Sequence, residues 1–160
     1  MTREEKELLL KDLCARLPYE VKGRVYAEVT KLEYDITGDM IFFDSPFDVI
    51  LDAINTSTEE IHVIAIGNED TVDFIEDQQI DGKPYIIDEL KPYLRPLSSM
   101  TEEEEEEYDT FFNTDYGYMD ASKVFDVSDW MYAHHFDYRG LILMGLALEA
   151  PKEMYNIKSK

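Results

Sequence analysis

An α+β fold is what the sequence predicts: an N-terminal helix, a central curved antiparallel sheet or small barrel of five or six strands, and C-terminal helices. Three observations lead there. Leucines recur at helical spacing in the opening segment, the apolar period drops to two from Val21 onward, and a run of glutamates after two prolines opens a second helical region.

The first helix is expected over residues 2–16. Thr2 is placed to cap it, and Glu5, three positions on, completes a capping box. Leu9, Leu13 and Leu17, with Leu10 and Cys14, form one apolar stripe, and Pro18 ends it. Val21, Val25, Ala27 and Val29 then alternate with Lys22, Arg24, Glu28 and Lys31, as in a half-buried strand. Residues 32–36 and 40–43 continue the pattern around a Thr37-Gly38-Asp39 turn. Residues 47–54 fit strand or helix, whereas 61–66 read clearly as a strand. Further short strands are expected at 72–75 and 85–87.

Pro92 and Pro96 mark residues 91–100 as an extended connection. Thr101 caps the next helix, and Glu102 to Glu107 fill its first turns, where the helix dipole favours negative charge; as a whole the run reads as a solvated face. Ser128 is placed to cap a further helix carrying Trp130, Met131 and Ala133, and residues 141–148 read as a last buried helix. The expected organisation is a helix-plus-sheet part, 1–98, and a helical part, 99–160, packed on it as one unit.

A chain of 160 residues buries roughly 70% of the surface its unfolded form exposes, enough for a core without metals or disulfides. Its single cysteine, Cys14, suits a reducing compartment and reads as an inert residue on the apolar stripe. No apolar stretch reaches the roughly 20 residues needed to cross a bilayer, and the opening is too acidic for a signal peptide. A cytoplasmic location is therefore expected.

The formal net charge of -21 is unevenly spread. Residues 1–31 carry 7 Lys/Arg against 6 Asp/Glu, residues 32–100 carry 3 against 16, and residues 101–160 carry 5 against 14. From Leu32 through Gly82 there is no Lys or Arg, while 14 acids occur. Such a balance disfavours nucleic acid and anionic membranes, both of which need Lys and Arg. It leaves basic protein partners. The candidate acidic interaction face comprises Asp35, Asp39, Asp44, Asp48, Asp52, Glu59, Glu60, Glu69, Asp70, Asp73, Glu76 and Asp77.

Motifs for chemistry are sparse. There is no GxxxxGK[ST] phosphate loop, no GxGxxG after a strand and no GxSxG elbow. Asp70, Asp73, Glu76 and Asp77 crowd together but lack the spacing of a calcium loop. One Cys and three His are too few for a closed zinc site, and His134-His135 suits a helix C-terminus better than a metal. No catalytic residue, metal or cofactor is expected, and the chain reads as no enzyme.

Two segments, KPYLRPLSSMTEEEEEEY (91–108) and HHFDYRGLILMGLALEAPKEMYN (134–156), resemble a family of small uncharacterised proteins of Bacteroides-type bacteria and their phages or prophages, and KDLCARLPYEVK (11–22) matches the family's opening. Gly commonly follows LPY in that family, and Glu20 stands there in this chain. The resemblance implies a shared scaffold around a divergent middle, with a role in host interaction. It carries over no catalytic residue.

Two functions follow as expectations. The first is a non-enzymatic acidic interaction protein acting on a host or phage protein, in its sharpest form a nucleic-acid mimic that blocks a basic nucleic-acid-binding enzyme. The alternative is a protein that sequesters a signalling nucleotide, for which Arg16, Lys22, Arg24, Arg95 and Arg139, with Lys31, are the available positive groups.

Overall fold

The structure, a computed structural model, describes residues 1–26, 32–34, 40–42, 46–65, 85–112 and 121–155. The chain divides into two compact units, Met1–Tyr93 and Leu94–Lys160.

In the first unit, helix α1 (Arg3–Arg16) begins with the expected capping box: the Glu5 amide donates to Thr2 Oγ1 at 3.2 Å and the Thr2 amide to Glu5 Oε2 at 2.7 Å. Its buried face is Leu9, Asp12, Leu13 and Arg16, the i, i+3, i+4, i+7 set, so an ion pair takes part in what the leucine spacing marks as an apolar stripe. Cys14 is exposed, contrary to its expected place on that stripe. A 3-10 turn, Leu17–Tyr19, follows, and Glu20 closes it at φ 53°, a left-handed conformation that glycine adopts without steric cost.

The strands are β1 (Lys22–Val25), β2 (Leu32–Tyr34), β3 (Met40–Phe42), β4 (Phe47–Asn55), β5 (Glu60–Ala65), β6 (Tyr85–Ile86), β7 (Leu90–Leu94) and β8 (Leu148–Glu149). Six of them form a mixed sheet in the order β6-β5-β4-β1-β7-β8, and β2 pairs with β3 apart from it. The α+β expectation is met, but the sheet is open and not a barrel. Its terminal strands are two residues long and offer too little ladder to join the edges. Residues 47–54, ambiguous by pattern, are strand, with a register shift between Leu51 and Ala53. The expected strand at 72–75 and the 37–39 turn lie outside the described residues.

Residues 91–100 are not simply an extended connection, because β7 occupies their start and pairs with β1. Proline is accepted there for a specific reason. The Tyr26 amide donates to the Glu89 carbonyl at 2.7 Å, so alternate pairs along this antiparallel ladder are hydrogen-bonded, and Gly23 opposite Pro92 falls on a non-bonded one. No Pro92 N–H is required toward β1. A side chain on Gly23 would sit 2.9 Å from Leu90 and 3.0 Å from the Lys91 carbonyl, which explains its glycine. Val21, Val25, Val49, Leu51, Ile61, Val63, Ile87 and Leu90 are buried with Leu9 and Leu13 as this unit's core.

In the second unit, a 3-10 turn (Leu97–Ser99) precedes the α-helices among the described residues, α2 (Glu102–Phe112) and α3 (Ala121–Ala133). Ser128 lies inside α3, its hydroxyl donating to the Val124 carbonyl at 3.0 Å, and is not the expected cap. The expected helix at 141–148 is instead a series of turns leading into β8. The Asp137 carboxylate takes the Leu141 and Ile142 amides at 2.8 Å each, and Gly140 and Gly145 turn the chain at φ 74° and 73°. Those bonds replace the first turn of a helix, and the consequence is an exposed Leu143 beside buried Leu141 and Leu146. Phe136, Met131, Tyr132, Ala147 and Leu94 are also buried in this unit, with the polar His135 and Asp137.

Candidate functional site

The sequence-based candidates fall into distinct settings. Asp35, Asp39, Asp44, Glu69, Asp70, Asp73, Glu76 and Asp77 lie outside the described residues, as does Lys31. Of the remainder, Asp48 sits opposite Arg24 on the β1–β4 ladder, on the sheet face away from Val25 and Val49. Its carboxylate takes Arg24 Nε at 2.7 Å, Arg24 Nη2 at 3.1 Å and the Tyr93 hydroxyl at 3.0 Å. Burial pushes the Asp48 carboxyl up, but the bonds from Arg24 and Tyr93 outweigh it and hold the group below its ordinary value. The Arg24 guanidinium is raised mainly by its bond to Asp48. Tyr93 is pushed up to about 12 by burial first and by Asp48 next.

Asp52 is exposed on β4. Glu60 accepts from the Thr58 hydroxyl, and Glu59, at φ 57°, meets Lys6 at 3.4 Å. Lys6 also reaches Asp88 at 2.6 Å, and that bond holds its ammonium above the ordinary value. Asp48 and Glu59, two members of the expected acidic face, are thus matched to cations of the same unit.

The positive candidates are likewise engaged. Arg16 is fully buried and forks Asp12 through Nε at 2.6 Å and Nη2 at 3.4 Å. Arg139 donates to the Tyr132 hydroxyl at 3.0 Å and lies over the Tyr138 ring. Lys22 is half-buried on β1. Arg95 gives both terminal nitrogens to Glu104, at 2.7 and 2.8 Å. An anionic ligand would have to displace a carboxylate from Arg16, Arg24 or Arg95.

The second unit contains a cleft of about 710 Å³, within the range of ligand-binding pockets. Its wall is formed by the start of α2 (Thr101, Glu103, Glu104, Glu107), by Arg95, Pro96 and Ser99, by His134 after α3, and by the segment from Glu149 to Lys152 with Tyr155. Each group is held by local structure. Thr101 and Glu104 make a capping box, with amide-to-side-chain bonds of 2.9 and 3.2 Å. Arg95 lies over the Phe136 ring at 4.3 Å, and its backbone bridges Phe136 in parallel through bonds to His135 and Asp137. Partial burial pushes the Glu104 carboxyl up, but the bonds from Arg95 and the Thr101 backbone outweigh it and leave the group below its ordinary value. His134 stacks on Trp130 at 4.2 Å, and its Nδ1 lies 2.9 Å from the Trp130 carbonyl. Trp130 Nε1 donates to Glu107 at 3.1 Å. The Tyr155 ring lies flat on His135, at 3.7 Å and 16°.

Four carboxylates and two cations therefore line the cleft, and one cation, Arg95, is already neutralised by Glu104. Glu103, Glu107 and Glu149 remain against Lys152. No group of three or more metal-ligating side chains converges among the described residues. Five of the six glutamates are exposed, as a solvated face requires, and Glu104 is half-buried. The pattern of the run alone does not bring Glu103 and Glu107 into a cleft with Glu149. The spacing of 103, 104 and 107, three positions on adjoining faces of one helix turn, was the available signal.

No family model, curated protein or solved structure matches the chain.

Proposed function

We propose that this chain is a binding protein, not an enzyme, and that it captures a protein with a basic surface. The excess of carboxylates in the second unit's cleft carries the reading. Once Arg95 and Glu104 cancel, the wall keeps Glu103, Glu107 and Glu149 against Lys152. A net charge of -21 adds long-range attraction for a cationic partner and repels nucleic acid itself. Nucleic-acid-binding enzymes are one class that presents such a basic surface.

The test is a tagged pull-down from cells, washed at about 0.05 and 0.5 M salt, beside an E103Q/E149Q variant; surface charge pairs are strongly screened at the higher salt. A basic protein should be retained at low salt, released at high salt and missed by the variant. Salt-insensitive capture, or equal capture by the variant, overturns the reading.

A further inference from the structure

Independently of the cleft, we infer that the open end of the α2–α3 pair docks an amphipathic helix of a partner protein, apolar on one face and basic on its flanks. The apolar stripe of α3 is longer than the core it packs on. Met131 and Tyr132 are buried, at 4% and 8% exposure. Val124 and Phe125, each seven residues earlier and so on the same faces, are 48% and 73% exposed. Phe112 stands at the same end. Glu107 and Tyr108 of α2 meet Trp130 of α3, while Glu104 shares the cleft wall with His134, so the two helices run antiparallel. Phe112, one turn beyond Tyr108, is thus level with α3 one turn before Trp130, and it is 43% exposed.

The rim identifies the occupant. Glu105 and Asp109 on α2 and Asp126 and Asp129 on α3 are exposed, and Lys123 is the one cation that the two helices carry. Asp109 lies three positions before Phe112 and Asp129 four after Phe125, so each carboxylate neighbours an exposed ring on its own helix. An apolar centre inside a charged rim is the layout of a protein interface. A partner that buries the rings has to match the rim with Lys or Arg. A second copy of this chain would bring acids against acids, and an anionic lipid surface would meet the same repulsion. The partner's element is a helix, because α2 and α3 satisfy their backbone groups internally and offer no edge to a strand. Their side-chain ridges accept a third helix instead.

The experiment titrates the full chain with a peptide of about 18 residues, five turns of helix, with leucine on one face and lysine on the other. A scrambled peptide of the same composition, lacking the apolar face, is the control, and amide NMR shifts follow both. The amphipathic peptide should bind at least about tenfold more tightly than the control, the scale of burying one phenylalanine. Its shifts should centre on Phe112, Val124 and Phe125. Phe125→Ser should remove that advantage and leave the scrambled peptide unchanged, and D126N/D129N should weaken the amphipathic peptide about threefold and flatten its salt dependence. All three substituted side chains are exposed, so these variants leave the core intact. Equal affinity for the two peptides, or no binding, overturns the inference. Binding lost in E103Q/E149Q but kept in Phe125→Ser also overturns it and leaves the cleft reading standing. A dimer that Phe125→Ser abolishes makes a second copy the occupant and overturns the partner helix.

Discussion

Arg95 and Glu104 form a two-pronged ion pair, Nη1 to Oε1 at 2.7 Å and Nη2 to Oε2 at 2.8 Å, with side chains only 15% and 12% exposed. Glu104 also closes the capping box of α2, so one carboxylate joins the helix start to the chain leaving β7. Glu104→Gln should destabilise the second unit by about 2 kcal/mol, the scale of a charge-assisted bond lost in a largely buried place. The carboxyl is held below its ordinary value in the folded chain, so its stabilisation is fully present above the unfolded value of 4.5 and disappears as pH falls through the depressed one. Urea unfolding followed by Trp130, the single tryptophan, should show a loss of wild-type stability in that acid window and a flatter profile in the variant.

The Asp12–Arg16 pair predicts a larger effect, because both side chains are fully buried. Asp12→Ala should cost roughly 3 kcal/mol, the scale for removing one member of a buried ion pair. The double variant D12A/R16M should recover much of that loss. Denaturant midpoints followed by helix circular dichroism measure both.

Glu20 holds a left-handed backbone at φ 53°, and glycine is the residue that does so without strain. Glu20→Gly should raise stability by about 1 kcal/mol, the steric relief of a left-handed residue being somewhat larger than the entropy glycine adds to the unfolded chain. Thermal unfolding of the two proteins decides it.

Tyr93 should ionise late among the eleven tyrosines, since burial and Asp48 push it up to about 12 from 10.0. A raised value means that its stabilisation is present below pH 10 and is lost as pH rises through about 12. Tyrosinate absorbance should show a late step in the wild type that Tyr93→Phe removes.

Local patterns exposed some of this architecture and hid the rest. The Thr2–Glu5 box and the Thr101 cap are readable because their partners lie three residues apart. Residues 141–148 misled because Leu-Ile-Leu-Met satisfies helical hydrophobicity, while the deciding group, Asp137, acts from outside the run on its first amides. The glycines at 140 and 145, bracketing the leucine run, were the missed hint. Pro92 argued against β7 because its tolerance depends on ladder parity, which a single strand's sequence does not contain. The cleft was hidden for a similar reason: Arg95 and Glu104 meet across nine positions, and Tyr155 comes from a distant segment.

The Gly23–Pro92 pairing also guards against misfolding. A slip of β7 by one residue would turn the proline nitrogen toward β1 at a bonded position, where it has no hydrogen to give. A slip by two keeps the parity but sets Val21 or Val25 against Pro92, where Gly23 already has only 3.3 Å to the proline Cα for any side chain. Each strand thus proofreads the other's alignment, one by a missing hydrogen and one by a missing side chain.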